Sequence, residues 1–186
     1  MSAYGNPAID QLVKIDTNHA EFVRALVMCH KPGRVLELGF GAGEATRAIL
    51  AGLAHNRQSF EYAVVDNWLD FDGVRPAVTH AAAYRDVNFI TSNERDFVLG
   101  CPSSYQFIFS DADHRHTQDW FEVVYERILA PGGVLIYHDV TNSKDFPNLL
   151  RIYQDVVRND YHHLLLNRCT LPDERCDRGL LVIFKH

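Results

Sequence analysis

Short apolar runs in this chain are each followed at once by residues able to do chemistry. Val35 to Leu38 leads into Gly39-Phe40-Gly41-Ala42-Gly43, and Val64-Val65 into Asp66-Asn67-Trp68. Ile90-Thr91 leads into Ser92-Asn93-Glu94. Gln106 to Phe109 leads into Ser110-Asp111-Ala112-Asp113-His114-Arg115-His116, and a further run into Tyr137-His138-Asp139-Val140-Thr141-Asn142. Glycines let a backbone turn sharply and lie close to a ligand, because no Cβ blocks the approach. A carboxylate such as Asp66 can accept hydrogen bonds from two vicinal hydroxyls. Histidine has an ordinary pKa of about 6.5, which suits it to take a proton near neutral pH. The same residue types also have plain structural uses. Strand-end carboxylates cap turns, and Ser92 or Asn93 can cap a helix.

The elements that must position these clusters read as alternating strands and helices. Strands are expected near 34–38, 60–65, 87–91, 105–110 and 133–138, and helices near 44–55, 75–85 and 117–129. Pro131-Gly132-Gly133 marks the turn into the fifth strand, and Pro147 opens a helix to about Asn159. Such alternation predicts an α/β chain, a parallel sheet with helices on both faces. The last apolar runs, His162 to Leu166 and Gly179 to Phe184, have no helix between them, which predicts an antiparallel pair. Ahead of the sheet, Asn6-Pro7 is a plausible helix start, and Asn18 with Glu21 forms a capping-box pattern. Phe22, Val23, Leu26 and Val27 continue it as an apolar stripe to about Cys29. A single domain over 1–186 is expected, a helical segment 1–30 before the core 31–186. In open sheets of this kind ligands bind beyond the carboxyl ends of the strands, where every polar cluster falls.

Composition narrows the function. The formal charge is −6 over 186 residues, and the basic residues are scattered. Nucleic-acid binding leaves a basic stripe, so nucleic acid is not the expected partner. No apolar run approaches the roughly 20 residues of a membrane helix, so no membrane partner is expected either. The N-terminus lacks a basic region followed by an apolar one. With Cys29, Cys101, Cys169 and Cys176 in no C-x-x-C pair, reduced thiols and a cytoplasmic location are expected. A Cys169–Cys176 disulfide, or a zinc site with His162 and His163, is the alternative.

The glycine spacing does not meet G-x-G-x-x-G, which argues against a dinucleotide. With Glu37 inside the strand, the segment resembles the E-x-G-x-G-x-G loop of class I S-adenosylmethionine (SAM) methyltransferases. That resemblance implies a Rossmann-like, seven-stranded, mostly parallel sheet of order 3-2-1-4-5-7-6. It implies SAM contacts from Glu37, Gly39, Phe40, Gly41 and Gly43. Asp66 would hold the ribose, Asn67 would border the cofactor, Trp68 would stack on adenine or lie in the core, and Ser92 and Asn93 would neighbour the adenine. The segments after strands four and five resemble metal-dependent small-molecule O-methyltransferases. By position, Asp111, His138 and Asp139 would hold a divalent cation, Mg²⁺ or Mn²⁺. Asp111 would also border the cofactor, and His114 would be the general base. His138 departs from the family's Asp: either the metal is softer than Mg²⁺, since imidazole suits Mn²⁺, Fe²⁺, Ni²⁺ or Zn²⁺ better, or His138 is not a ligand and Asp111 and Asp139 hold the cation together with waters. His116, Asp113 and Asn142 would support this site, whereas Trp120, Phe121 and Val124 look like core. The expected partner is a small-molecule acceptor, with a homodimer open. An aromatic-lined pocket for it is expected from Tyr4, Trp68, Phe71, Phe146 and Arg175. Metal-free methyl transfer and a non-catalytic SAM-binding subunit stand as alternatives.

Overall fold

The computed structural model describes residues 17–69, 82–141, 146–166 and 178–186. Helix α1 (Thr17–His30) is followed by β1 (Arg34–Leu38), α2 (Glu44–Asn56) and β2 (Glu61–Asp66). After a 3-10 turn at Ala82–Tyr84 come β3 (Asn88–Thr91), α3 (Glu94–Gly100) and β4 (Tyr105–Ser110). A helical stretch with α4 (Phe121–Val123) at its centre leads into β5 (Leu129–Tyr137), and α5 (Pro147–Arg158), β6 (His163–Leu166) and β7 (Leu180–Phe184) close the chain. The seven strands form one sheet in the order β3-β2-β1-β4-β5-β7-β6. β1 to β5 pair in parallel, while β7 runs antiparallel to both β5 and β6. Class, strand order and the final antiparallel pair are as the sequence led us to expect.

Side chains on each strand alternate between two cores, as strand geometry requires. Leu36, Leu38, Val65, Ile108 and Leu135 face α3, α4 and α5. Val35, Val64, Phe107, Phe109 and Ile136 face α1 and α2. The strands are buried on both faces, so their sequences are near-continuous apolar runs.

Some elements differ from expectation. α3 was not foreseen, although its cap was legible: Asn93 Oδ1 accepts from the Asp96 N–H at 2.8 Å. The 117–129 helix is a composite of a 3-10 turn (Thr117–Trp120), α4 and a π segment (Val124–Ile128). Its apolar face nevertheless stays buried throughout, at Trp120, Phe121, Val124 and Ile128. The Lys185 ammonium ties its end down, donating to the carbonyls of Tyr125, Glu126 and Leu129. The Pro131-Gly132-Gly133 turn became a bulge within β5: Tyr105 pairs with Leu129, but Phe107 pairs with Val134. α1 already includes Thr17, so Asn18 does not open it, and Glu21 pairs with Arg24 at 2.6 Å instead. The helix start at Asn6-Pro7, most of the 75–85 helix, and Cys169 and Cys176 lie outside the described residues. Cys29 and Cys101 are free thiols. Among the described residues no helix is long and apolar enough to cross a membrane.

Candidate active site

A cavity of about 1320 Å³ opens at the carboxyl ends of the parallel strands. Gly39, Gly41, Asp66, Asn67, Ser92 and Asn93 border one side of it. Asp111, His114, Asp139, Phe146 and Arg178 border the other.

The glycine side is built by the close approach of β1 and β4. The Asp111 N–H donates to the Leu38 carbonyl at 2.8 Å, and the Gly39 N–H to the Val65 carbonyl at 2.8 Å. Gly39 has φ +88°, and a Cβ there would lie 2.5 Å from the Asp111 carbonyl oxygen. Only glycine fits that seam. Asp66 is fixed by two main-chain donors. Its Oδ2 accepts from the Phe40 N–H at 2.8 Å and its Oδ1 from the Trp68 N–H at 2.6 Å. A carboxylate oxygen has two lone pairs, so each keeps one toward the cavity.

Five residues expected at the site lie behind the cavity wall. Glu37 is wholly buried beneath the glycine loop. Thr46 donates to it at 2.9–3.0 Å and the Tyr62 hydroxyl donates to it as well, so it joins β1, β2 and α2. Burial pushes its carboxyl up to about 8. Phe40 and Trp68 pack with Tyr84 and Phe89 in an aromatic cluster. Trp68, 3% exposed, is thus a core residue, the other of the two roles read from sequence. Gly43 makes room for the Phe40 ring, which a Cβ would meet at 2.5 Å. The fifth, His138, is 1% exposed and reaches the site from below. Tyr4, Phe71, Asn142 and Arg175 lie outside the described residues.

On the other side four titratable groups converge. His114 Nε2 is 3.1 Å from Asp111 Oδ1 and 3.2 Å from Asp139 Oδ2. His138 Nδ1 is 3.4 Å from Asp111 Oδ1 and 3.3 Å from Asp139 Oδ1. Burial raises both carboxyls, but His138 beside Asp111 and His114 beside Asp139 more than reverse this, and both stand below the ordinary 3.8. Burial opposes charge on the histidines too, yet the two carboxylates push each of them up to about 10. His114 in this arrangement is therefore a cation clamped between carboxylates, and an imidazolium cannot accept a proton. Asp139 adopts φ +61°, a strained backbone for a residue with a Cβ, which aims its carboxyl inward.

The donor set fits a divalent cation. Ligand atoms of Asp111, His138 and Asp139 lie within 4.8 Å of one another. His138 Nδ1 and Asp139 Oδ1 are buried and make no hydrogen bond among the described residues, although they face each other across the ion pair. Asp113 and His116 stand apart: Asp113 accepts from the Arg115 N–H, and His116 faces Asp119 at 3.6 Å.

Three residues in or behind this wall were missed in the sequence. Glu94 is buried at the cavity edge, where Ser110, the Asp113 N–H and Thr117 donate to it, and burial raises its carboxyl. The capped helix start before it was its signal. Arg178 Nε lies 3.7 Å from Asp139 Oδ1. His19 of α1 contacts His138, its Nδ1 lying 3.2 Å from Nε2. Neither Arg178 nor His19 carried a local signal.

A family model described as a methyltransferase domain matches residues 36–140, from β1 to the turn after β5. The chain belongs to that family. Its fold is also that of solved methyltransferase structures. An O-methyltransferase from Bacillus cereus in complex with SAH has 19% identity and a TM-score of 0.76, with 96% of this chain and 86% of that chain covered. The O-methyltransferase TomG from Streptomyces achromogenes, in complex with SAM, has 13% identity and a TM-score of 0.75, covering 97% and 91%. The SAH-bound Podospora anserina methyltransferase PaMTH1 has 15% identity and a TM-score of 0.73, covering 98% and 83%. At these identities the likeness is one of fold. No protein of curated function matches the sequence.

Proposed function

We propose that this chain is a SAM-dependent methyltransferase acting on a hydroxyl of a small molecule. One observation carries the reading: a single cavity joins the Gly39–Gly41 turn and Asp66 to the Asp111–His114–Asp139 group. SAH bound in one similar structure and SAM in another support the cofactor. When bound, SAM supplies an electrophilic methyl group on a sulfonium. Gly39 and Gly41 would border its amino-acid part, and the remaining lone pairs of Asp66 would receive the two ribose hydroxyls. Asn93 and Ser92 would border the adenine end.

Asp111, His138 and Asp139 would hold a divalent cation, whose chemistry would be to lower the pKa of the acceptor hydroxyl. An imidazole in the set favours Mn²⁺ or Fe²⁺ over Mg²⁺. His114, once the two carboxylates no longer hold its proton, is the group placed to take the hydroxyl proton. Phe146, with its ring 4.4 Å from that of His114, screens the imidazole on one side. Orienting acceptor oxygen and methyl group in line is the protein's other contribution.

Calorimetry with SAM and its demethylated product S-adenosylhomocysteine (SAH) tests the cofactor. Transfer of a labelled methyl group to a panel of phenols, catechols and sugars tests the reaction. Treatment with a chelator should abolish transfer, and Mn²⁺ should restore it. Transfer indifferent to chelator would favour the metal-free alternative. Tight SAH binding with no transfer to any hydroxyl would favour the non-catalytic reading.

A further inference from the structure

α1 precedes the region that the methyltransferase family model matches. It packs mainly on α2, through the buried Val23 and Val27 on its apolar face. One polar residue interrupts that face. His19 is 1% exposed, and its ring meets that of His138 edge to face at 5.3 Å. Its Nδ1 stands 3.2 Å from His138 Nε2, 119 residues along the chain. A buried imidazole among apolar side chains costs stability unless its polar atoms are matched. Leucine would satisfy the helix pattern here at lower cost.

The chemistry of His138 says what the contact does. Its Nδ1 faces two carboxylates. Without a cation, Nδ1 must carry a proton, since an ionised carboxylate only accepts. With the cation, Nδ1 must offer a lone pair, and a neutral imidazole then has its proton on Nε2. In that second state Nε2 donates, and the buried atom in front of it must be an acceptor. His19 Nδ1 is that atom.

We propose that His19 is a positioning residue of the cation site, accepting from His138 Nε2–H and so fixing the ring angle and tautomer that present Nδ1 to Asp111 and Asp139. The proposal rests on the cation reading above. α1 is then part of the active site and not only a cover for the sheet. Ligand histidines elsewhere depend on such partners, whose loss typically costs about 10–100-fold in metal affinity.

The test uses His19→Phe, which keeps a flat ring without an acceptor, and His19→Asn, whose amide oxygen can take the place of Nδ1. Mn²⁺ binding is read from the loss of the free-ion electron paramagnetic resonance signal in the presence of SAH. SAH affinity is read by calorimetry, and folding by thermal melting. The expected result is Mn²⁺ affinity lowered about tenfold or more in His19→Phe and within about threefold of the parent in His19→Asn. SAH affinity should be unchanged in both. Mn²⁺ binding in His19→Phe equal to the parent's overturns the proposal. So does an equal loss of SAH and Mn²⁺ affinity in both variants, which marks His19 as a packing residue. A parent that binds SAH but no Mn²⁺ removes the cation reading and this proposal together, and leaves SAM binding standing.

Discussion

Asp66 spends one lone pair of each carboxylate oxygen on the backbone and keeps the others for a ligand. A hydrogen bond to a charged group contributes about 1.5–3 kcal/mol, so Asp66→Ala should weaken SAH binding about tenfold or more in calorimetry. Parent-like affinity in that variant would remove Asp66 from the ribose site. Glu37 shows the opposite use of a carboxyl. Its burial places its titration at about 8 against an ordinary 4.5. Between these values the folded chain keeps a proton that the unfolded chain has released. Its contribution to stability is thus fully present below about pH 4.5 and is lost as pH rises through about 8. Glu37→Gln cannot ionise, and its amide still offers one acceptor and one donor to Thr46 and Tyr62. Urea unfolding at pH 5 and pH 8 should show a smaller loss of stability in Glu37→Gln than in the parent. Equal losses in the two proteins would mean that Glu37 is not the source.

At the scale of elements, the seam between the ends of β1 and β4 decides where the site can form. Gly39→Ala places a methyl group 2.5 Å from a main-chain oxygen and forces φ +88° on a residue with a Cβ. Gly132 has φ +71°, but a Cβ there meets nothing within 4 Å. Gly132→Ala should therefore cost about 1 kcal/mol, from the backbone conformation alone. Gly39→Ala should cost that plus an overpacking penalty of about 1–3 kcal/mol, since main-chain atoms cannot step aside. Denaturant midpoints of the two variants check the order, and similar midpoints would deny that the seam is tight. The helix after β3 teaches a related lesson. Asn93 reads equally well as a ligand contact or a cap, and the structure has it capping α3 at the cavity edge. Its neighbour Glu94 became a buried strut beneath the loop after β4.

For the whole molecule, binding to the folded state alone shifts the unfolding equilibrium. SAH at 100 times its Kd should add about 2.7 kcal/mol. In a chain of this size each kcal/mol is worth about 2–4 °C, so the melting temperature should rise by about 5–11 °C. NAD at the same concentration should leave it unmoved. A rise with NAD instead would overturn the cofactor assignment. The fold was largely legible in the sequence, because a parallel sheet buried on both faces writes its strands as short apolar runs. Each run ends at a glycine or a polar cluster, so the location of the site was legible with it. Local pattern could not show which polar groups face the cavity. Glu37, Phe40 and Gly43 sit in the glycine motif yet turn away, because strand alternation and the packing of α2 and Phe40 point them into the interior. The charge state of His114 depends on Asp139, which β5 brings to it from 25 residues along the chain. His19 meets His138 only because α1 folds back over the sheet. The sequence by itself determined the strands and the end of the sheet that carries the chemistry, and the family resemblance of its glycine loop implied their order. The tertiary structure alone decided the partners, because burial and contact between distant residues set what each side chain touches and which proton it holds.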